Sequence, residues 1–240
     1  MTNRNIDRSQ QYAAIVAGFG YLLIIVLGVF AEFFVRSTLV VPGDAAATVS
    51  NITANALLFR FGISGYLIAA VLDAVVALAL YVLLEPVNRF VALLAAWFRL
   101  VHAIILGIAL QSLFNVLHLT SGADYLAALT ADQLSAQVML SLDAFDYTWL
   151  IGLVFFGLHC LVLGYLILKS GFIPKILGIL LIAASFGYLI DSFAHFLFAS
   201  YEIYAIQFLL VVAVPALLAE VSLCLWLLFK GAKARRVINQ

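Results

Sequence analysis

Asp191 and His195 stand four residues apart in an apolar run, a spacing that sets a carboxylate and an imidazole one above the other on a helix. With Tyr188 and Ser192 they form one stripe about 100° wide, so all four side chains project in one direction. Glu32, in another apolar run, falls at almost the depth of His195. Together these groups offer oxygen and nitrogen ligands to a divalent metal such as zinc. Zinc held by Glu32, Asp191 and His195, with an acidic residue activating water, would make an intramembrane hydrolase acting on a lipid. The simpler reading is a hydrogen-bonded polar seam, because no His-x-x-x-His or Cys-x-x-Cys pair completes the ligand set. Glu32 also has Arg36 at i+4, an arrangement that makes an interfacial ion pair.

A second constellation centres on Arg99. A guanidinium in hydrocarbon costs about 3 kcal/mol on insertion scales, and more without a partner. At ~1.5 Å per residue, Arg99 lies about 7 Å and Glu220 about 5 Å from their span midpoints, on the same side. They match in depth and charge, and are expected to form a buried ion pair, with Pro215 bending the helix a turn before Glu220. Such a pair either pins two helices together or belongs to a working site. Near the midplane come Asp73, His102 and His159, which suit a proton relay or the wall of a wet cavity. His102 and His159 lie at similar depths on different spans, as the axial ligands of one b-type haem would. A second haem does not fit, since His118 and His195 differ by about 10 Å in depth.

The elements that must hold these groups follow from composition. The 240 residues are 66% hydrophobic and 10% charged, far from the soluble average of about half apolar and a quarter charged. Six runs are long enough to cross a bilayer as helices: about 12–36, 63–85, 91–117, 147–168, 176–199 and 204–229. The fold class is therefore all-α, a polytopic helical bundle forming one integral membrane domain over residues 1–240. With a cytoplasmic N-terminus, the inner connections carry Arg4, Arg8, Arg89, Lys169, Lys175, Lys230, Lys233, Arg235 and Arg236, and the outer ones only Arg36 and Arg60. That asymmetry predicts both termini inside.

Pro86 stops the second helix, and Gly171 and Pro174 separate the fourth from the fifth. Residues 37–62 hold room for a short interfacial helix. At 130–145, Thr130 and Gln133 form a capping box, and Leu134, Val138, Leu142 and Phe145 recur at helical spacing, predicting an amphipathic helix on the outer membrane surface. Cys160 and Cys224, both in apolar runs, read as packing residues.

Several functions are excluded. Zero net charge gives no field for nucleic acid. There is no intramembrane lysine for a retinal Schiff base, no Gly-x-x-x-x-Gly-Lys loop and no Gly-x-Ser-x-Gly elbow. An inverted transporter-type repeat finds little support, because the long connection after span one faces only the Lys169–Lys175 turn in the other half.

The run from Gly164 through Lys169-Ser170-Gly171-Phe172-Ile173-Pro174-Lys175 to Leu180, and Gly187-Tyr188-Leu189-Ile190-Asp191 after it, resembles a family of bacterial multi-pass membrane proteins catalogued as domain of unknown function 4386. Ala96-Trp97-Phe98-Arg99-Leu100 and Ala219 through Leu227 resemble it too. The resemblance implies a multi-pass protein of the bacterial cytoplasmic (inner) membrane and brings no activity. The leading expectation is a membrane bundle whose buried polar network binds a small ligand, a proton or a lipid, or supports a membrane complex. The zinc hydrolase and the haem b protein are the alternatives.

Overall fold

The computed structural model describes residues 7–231; Arg4, Lys233, Arg235 and Arg236 of the charge asymmetry lie outside them. The described chain is all-helical. Its α-helices are α1 (Arg8–Val29), α2 (Ser37–Leu39), α3 (Ala45–Ala54), α4 (Ala56–Leu84), α5 (Arg89–Leu119), α6 (Ala131–Ser170), α7 (Lys175–Leu197) and α8 (Ala205–Phe229). A π-helix, Phe30–Arg36, joins α1 to α2, so Arg8–Leu39 is helical throughout. Short 3-10 turns occupy Asp124–Ala128 and Tyr201–Tyr204. Among the described residues six helices are long and apolar enough to span a membrane, as the hydrophobic runs require.

The connections obey local chemistry. Gly171 takes φ +76°, a conformation that suits glycine, and Pro174 stands as the N-cap of α7. The Thr130–Gln133 capping box forms in both directions, at 2.9 and 3.2 Å. In the long connection, the Asp44 side chain accepts from the Ala47 backbone N–H and caps α3, the expected short helix. The helix at 131–145 differs from expectation in one respect. It continues without a break into the fourth span, giving a single helix of 40 residues. Its apolar face, Val138, Leu142 and Phe145, is buried in a protein core with Leu106, Leu110 and Leu113, instead of lying on a bilayer surface.

The described chain divides into two compact units. One comprises residues 24–71 and 104–150, with a core of Val35, Phe59, Tyr66, Leu113, Leu142 and Phe145. The other comprises 7–23, 72–103 and 151–231. In this second unit α6, α7 and α8 approach closely at glycines. A methyl group on Gly164 would sit 2.7 Å from the Gly178 carbonyl oxygen, and the reverse also holds. A methyl group on Gly187 would likewise sit 2.7 Å from the Val211 carbonyl oxygen. Small residues let helix backbones approach where lipid offers no hydrophobic drive for association. Gly178→Val should therefore lower stability in detergent by roughly 1–3 kcal/mol, read as the shift of a denaturation midpoint, while Gly107→Val, with nothing within 4 Å, should be near neutral.

Candidate functional site

Four helical segments of one unit converge on Arg99, which is 1% exposed. Its Nη2 meets Asp73 Oδ1 at 2.5 Å. Its Nη1 donates to the Tyr21 hydroxyl at 2.6 Å. The Nδ1 of His159 lies 2.8 Å from the Ala95 carbonyl, to which only an N–H can donate, so Nε2 carries the lone pair and accepts from Arg99 Nη1 at 3.3 Å. The guanidinium carbon stands 4.4 Å from the Tyr21 ring centroid and 5.3 Å from that of Phe156, so two aromatic rings lie against the cation. His102 completes the group, with Nε2 3.7 Å from Asp73 Oδ2 and its ring 5.0 Å from Phe156.

The partner of Arg99 is thus Asp73 on α4, in place of the expected Glu220. The helix bounds explain the correction. The second span begins at Ala56 instead of residue 63, which moves its midpoint from 74 to 70. Asp73 then lies about 5 Å from that midpoint, near the depth of Arg99, and the long arginine stem covers the remainder. Glu220 instead accepts the Tyr188 hydroxyl at 2.6 Å. The Tyr188 ring meets Phe156 edge-on at 5.3 Å, so one aromatic ring contacts both the Arg99 group and the Glu220–Tyr188 pair.

The stripe on α7 divides. Tyr188 serves Glu220, whereas Asp191 accepts from Tyr201 at 2.7 Å and His195 packs on the same tyrosine ring at 4.3 Å. Ser192 is fully buried. Among the described residues no three His, Cys, Asp or Glu side chains come together as metal ligands, so the structure does not assemble the expected zinc set. Glu32 is engaged elsewhere, accepting from the Tyr66 hydroxyl at 2.6 Å and pairing with Arg36 at 3.5 Å. Haem b fails on the same kind of test. Both ring nitrogens of His159 are occupied, by Ala95 and Arg99, and both imidazoles lie against Phe156, which leaves no nitrogen of His159 for iron.

Sequence reasoning missed Tyr21, Phe156 and Tyr201, and gave Arg36 only half its partners. Arg36 also meets Asp146 at 2.7 Å and lies over the Phe145 ring at 4.7 Å, within the other unit. A signal existed for Tyr21. A tyrosine well inside an apolar span, away from the interfacial belt, needs a partner for its hydroxyl.

A family model described as domain of unknown function (DUF4386) matches residues 16–231. An uncharacterized protein of the archaeon Archaeoglobus fulgidus is 32% identical over 179 residues, covering 75% of this chain and 89% of its own. No solved structure matches.

Arg99→Met and Asp73→Asn should each destabilise the detergent-solubilised protein by about 3 kcal/mol, because each strands a buried charge. The double substitution should recover part of the loss, with a coupling of about 1 kcal/mol or more. The corresponding cycle of Arg99→Met with Glu220→Gln should give a smaller coupling. Equal couplings in the two cycles would contradict the assigned pairing.

Proposed function

We propose that this chain, which belongs to the DUF4386 family, is a membrane bundle whose buried cluster binds a single exchangeable proton. One observation carries the reading: beside the buried Arg99–Asp73 pair stands a second carboxyl group, the half-buried Glu220, hydrogen-bonded to Tyr188, whose ring meets the same Phe156 that lies against Arg99. The Arg99 guanidinium is matched by Asp73, and His159, accepting from that guanidinium, is a neutral imidazole. Glu220 has a hydroxyl donor, Tyr188, and no cation in contact among the described residues. An ionised Glu220 would give the cluster one uncompensated negative charge away from water, which is costly, and a proton removes it. Tyr188 can donate to either form, since a neutral carboxyl keeps an acceptor oxygen. The proton therefore enters and leaves with little rearrangement. Groups of this kind, carboxyl and imidazole side chains inside a span, are the parts of intramembrane proton relays.

The same reading takes the chain as one integral domain of the bacterial cytoplasmic membrane, with both termini inside. Its support is the family resemblance together with Arg8, Arg89, Lys169, Lys175 and Lys230 at one set of helix ends, against Arg36 and Arg60 at the other.

Infrared spectroscopy of the protein in lipid at neutral pH tests the proton directly. The C=O stretch of a protonated carboxylic acid should be present in the wild type and disappear in Glu220→Gln. A spectrum without that band, or one in which Glu220→Gln leaves it intact, would contradict the proposal. In intact cells a reporter domain active only outside the cytoplasm should be inactive when fused after Gly231 and active when inserted at Gly122.

A further inference from the structure

The inner-facing ends of α4 and α5, by the topology above, flank a groove of about 410 Å³ within one unit. Its floor is made of alanines, among them Ala77 and Ala96, and its walls of Leu78, Leu93 and Leu100. Arg89, Tyr81 and Trp97 also line it. The groove is apolar along most of its length and polar at the end beside the 85–88 turn. From Arg89 to Leu100 it follows eleven residues of α5, about 16 Å, roughly half of a ~30 Å hydrocarbon core. That is the depth of one leaflet, and so of one acyl chain.

The polar end has the chemistry of a phospholipid headgroup. Arg89 is exposed, and its Nε donates to the Tyr81 hydroxyl at 3.3 Å, which steadies the guanidinium and leaves the Nη fork for a phosphate. The α5 helix begins at Arg89, so its positive dipole end stands at the same point. Trp97 is more than half exposed and amphipathic, as a residue facing acyl chains is. Glu85 stands one helical turn beyond Tyr81, its backbone N–H donating to the Tyr81 carbonyl at 2.7 Å, in the turn that leads to Arg89. A headgroup carrying only negative charge meets that carboxylate unfavourably, whereas one bearing a phosphate and an ammonium satisfies both side chains.

We infer that the α4–α5 groove is a binding site for an aminophospholipid, with the phosphodiester on Arg89, the primary ammonium at Glu85 and an acyl chain between Leu78, Leu93 and Leu100. The occupant is a lipid and not free phosphate, because the greater part of the groove is apolar and offers phosphate nothing. Specific retention, beyond the lipid that surrounds any span, follows from the paired charges at one end and the leaflet-length channel behind them. This site is separate from the Arg99 cluster and stands whether or not Glu220 carries a proton.

Native mass spectrometry tests it on the full chain, extracted from vesicles of equimolar phosphatidylethanolamine, phosphatidylglycerol and phosphatidylcholine. The wild type should retain phosphatidylethanolamine in preference to the other two. Arg89→Ala should reduce that retention about tenfold, the effect of losing one charge-assisted hydrogen-bonding group. Ala96→Leu, which fills the floor, should reduce it similarly, and Glu85→Gln should move the preference toward phosphatidylglycerol. Neither Arg89→Ala nor Glu85→Gln removes a buried side chain, so circular dichroism and thermal midpoint should match the wild type. Retention of all three lipids in equal measure, of phosphatidylglycerol or phosphatidylcholine ahead of phosphatidylethanolamine, or unchanged retention in Arg89→Ala, would overturn the assignment. Addition of inorganic phosphate should not displace the lipid; displacement by phosphate alone would overturn the acyl-chain half of the assignment.

Discussion

A guanidinium shut away from water must find partners in the protein, and that demand organises the unit around Arg99, whose two Nη groups are met while its Nε has no hydrogen-bond acceptor among the described residues. Removing such a charge from water is expensive, and attraction to one carboxylate repays it only when further donors are also satisfied. The structure spreads the task over several helices. Asp73 comes from α4, Tyr21 from α1, His159 from α6, and the ring of Phe156 from α6 covers one face. No single helix could supply this set, because residues three and four apart on one helix share a face and a long side chain needs partners around its tip. The cluster therefore ties helices together and at the same time fixes a hydrogen-bonding pattern, down to the tautomer of His159.

The second carboxyl group gives the arrangement chemical interest beyond cohesion. A closed pair of one arginine and one aspartate would be a clasp and nothing more. Glu220 adds an acid without adding a cation, and its hydroxyl partner, Tyr188, fits either protonation state. A clasp beside a site that changes charge is a physical means by which proton binding could be felt by the helices that the clasp joins. The Arg36 group shows the same chemistry in the other unit, with Glu32 and Asp146 on one arginine and Tyr66 on Glu32. Its π-helix setting, i to i+5 bonding in place of i to i+4, is of a kind that tends to occur at functional sites.

Hydropathy made the six spans legible, since backbone satisfaction in lipid leaves helices as the means of crossing for a chain this apolar. Capping made the turns legible, through Gly171, Pro174 and the Thr130–Gln133 box. Partner identity was less legible. Depth along a helix depends on where the helix begins, and a capping residue such as Asp44 or an Asn55 bonded back to Asn51 does not announce whether the next span starts at 56 or 63. That seven-residue displacement was enough to favour Glu220 over Asp73. Azimuth was the other missing quantity. Asp191 and His195 do share a face, but the sequence carries no information on what stands opposite, and a tyrosine from the following 3-10 turn takes the place a metal would need. Aromatic hydroxyls were the largest omission: Tyr21, Tyr66 and Tyr201 each complete a polar contact, and each counts as apolar in any composition-based reading.

Everything in this unit turns on the two Nη groups of Arg99 being held by protein side chains, out of reach of solvent. Nitrogen-15 NMR of the protein with labelled arginine, assigned by Arg99→Met, measures this at the side chain itself. Held between Asp73, Tyr21 and His159, the two Nη groups should give separate resonances that rotate slowly and exchange slowly with water. A single averaged Arg99 signal exchanging as fast as that of a surface arginine such as Arg89 would contradict it.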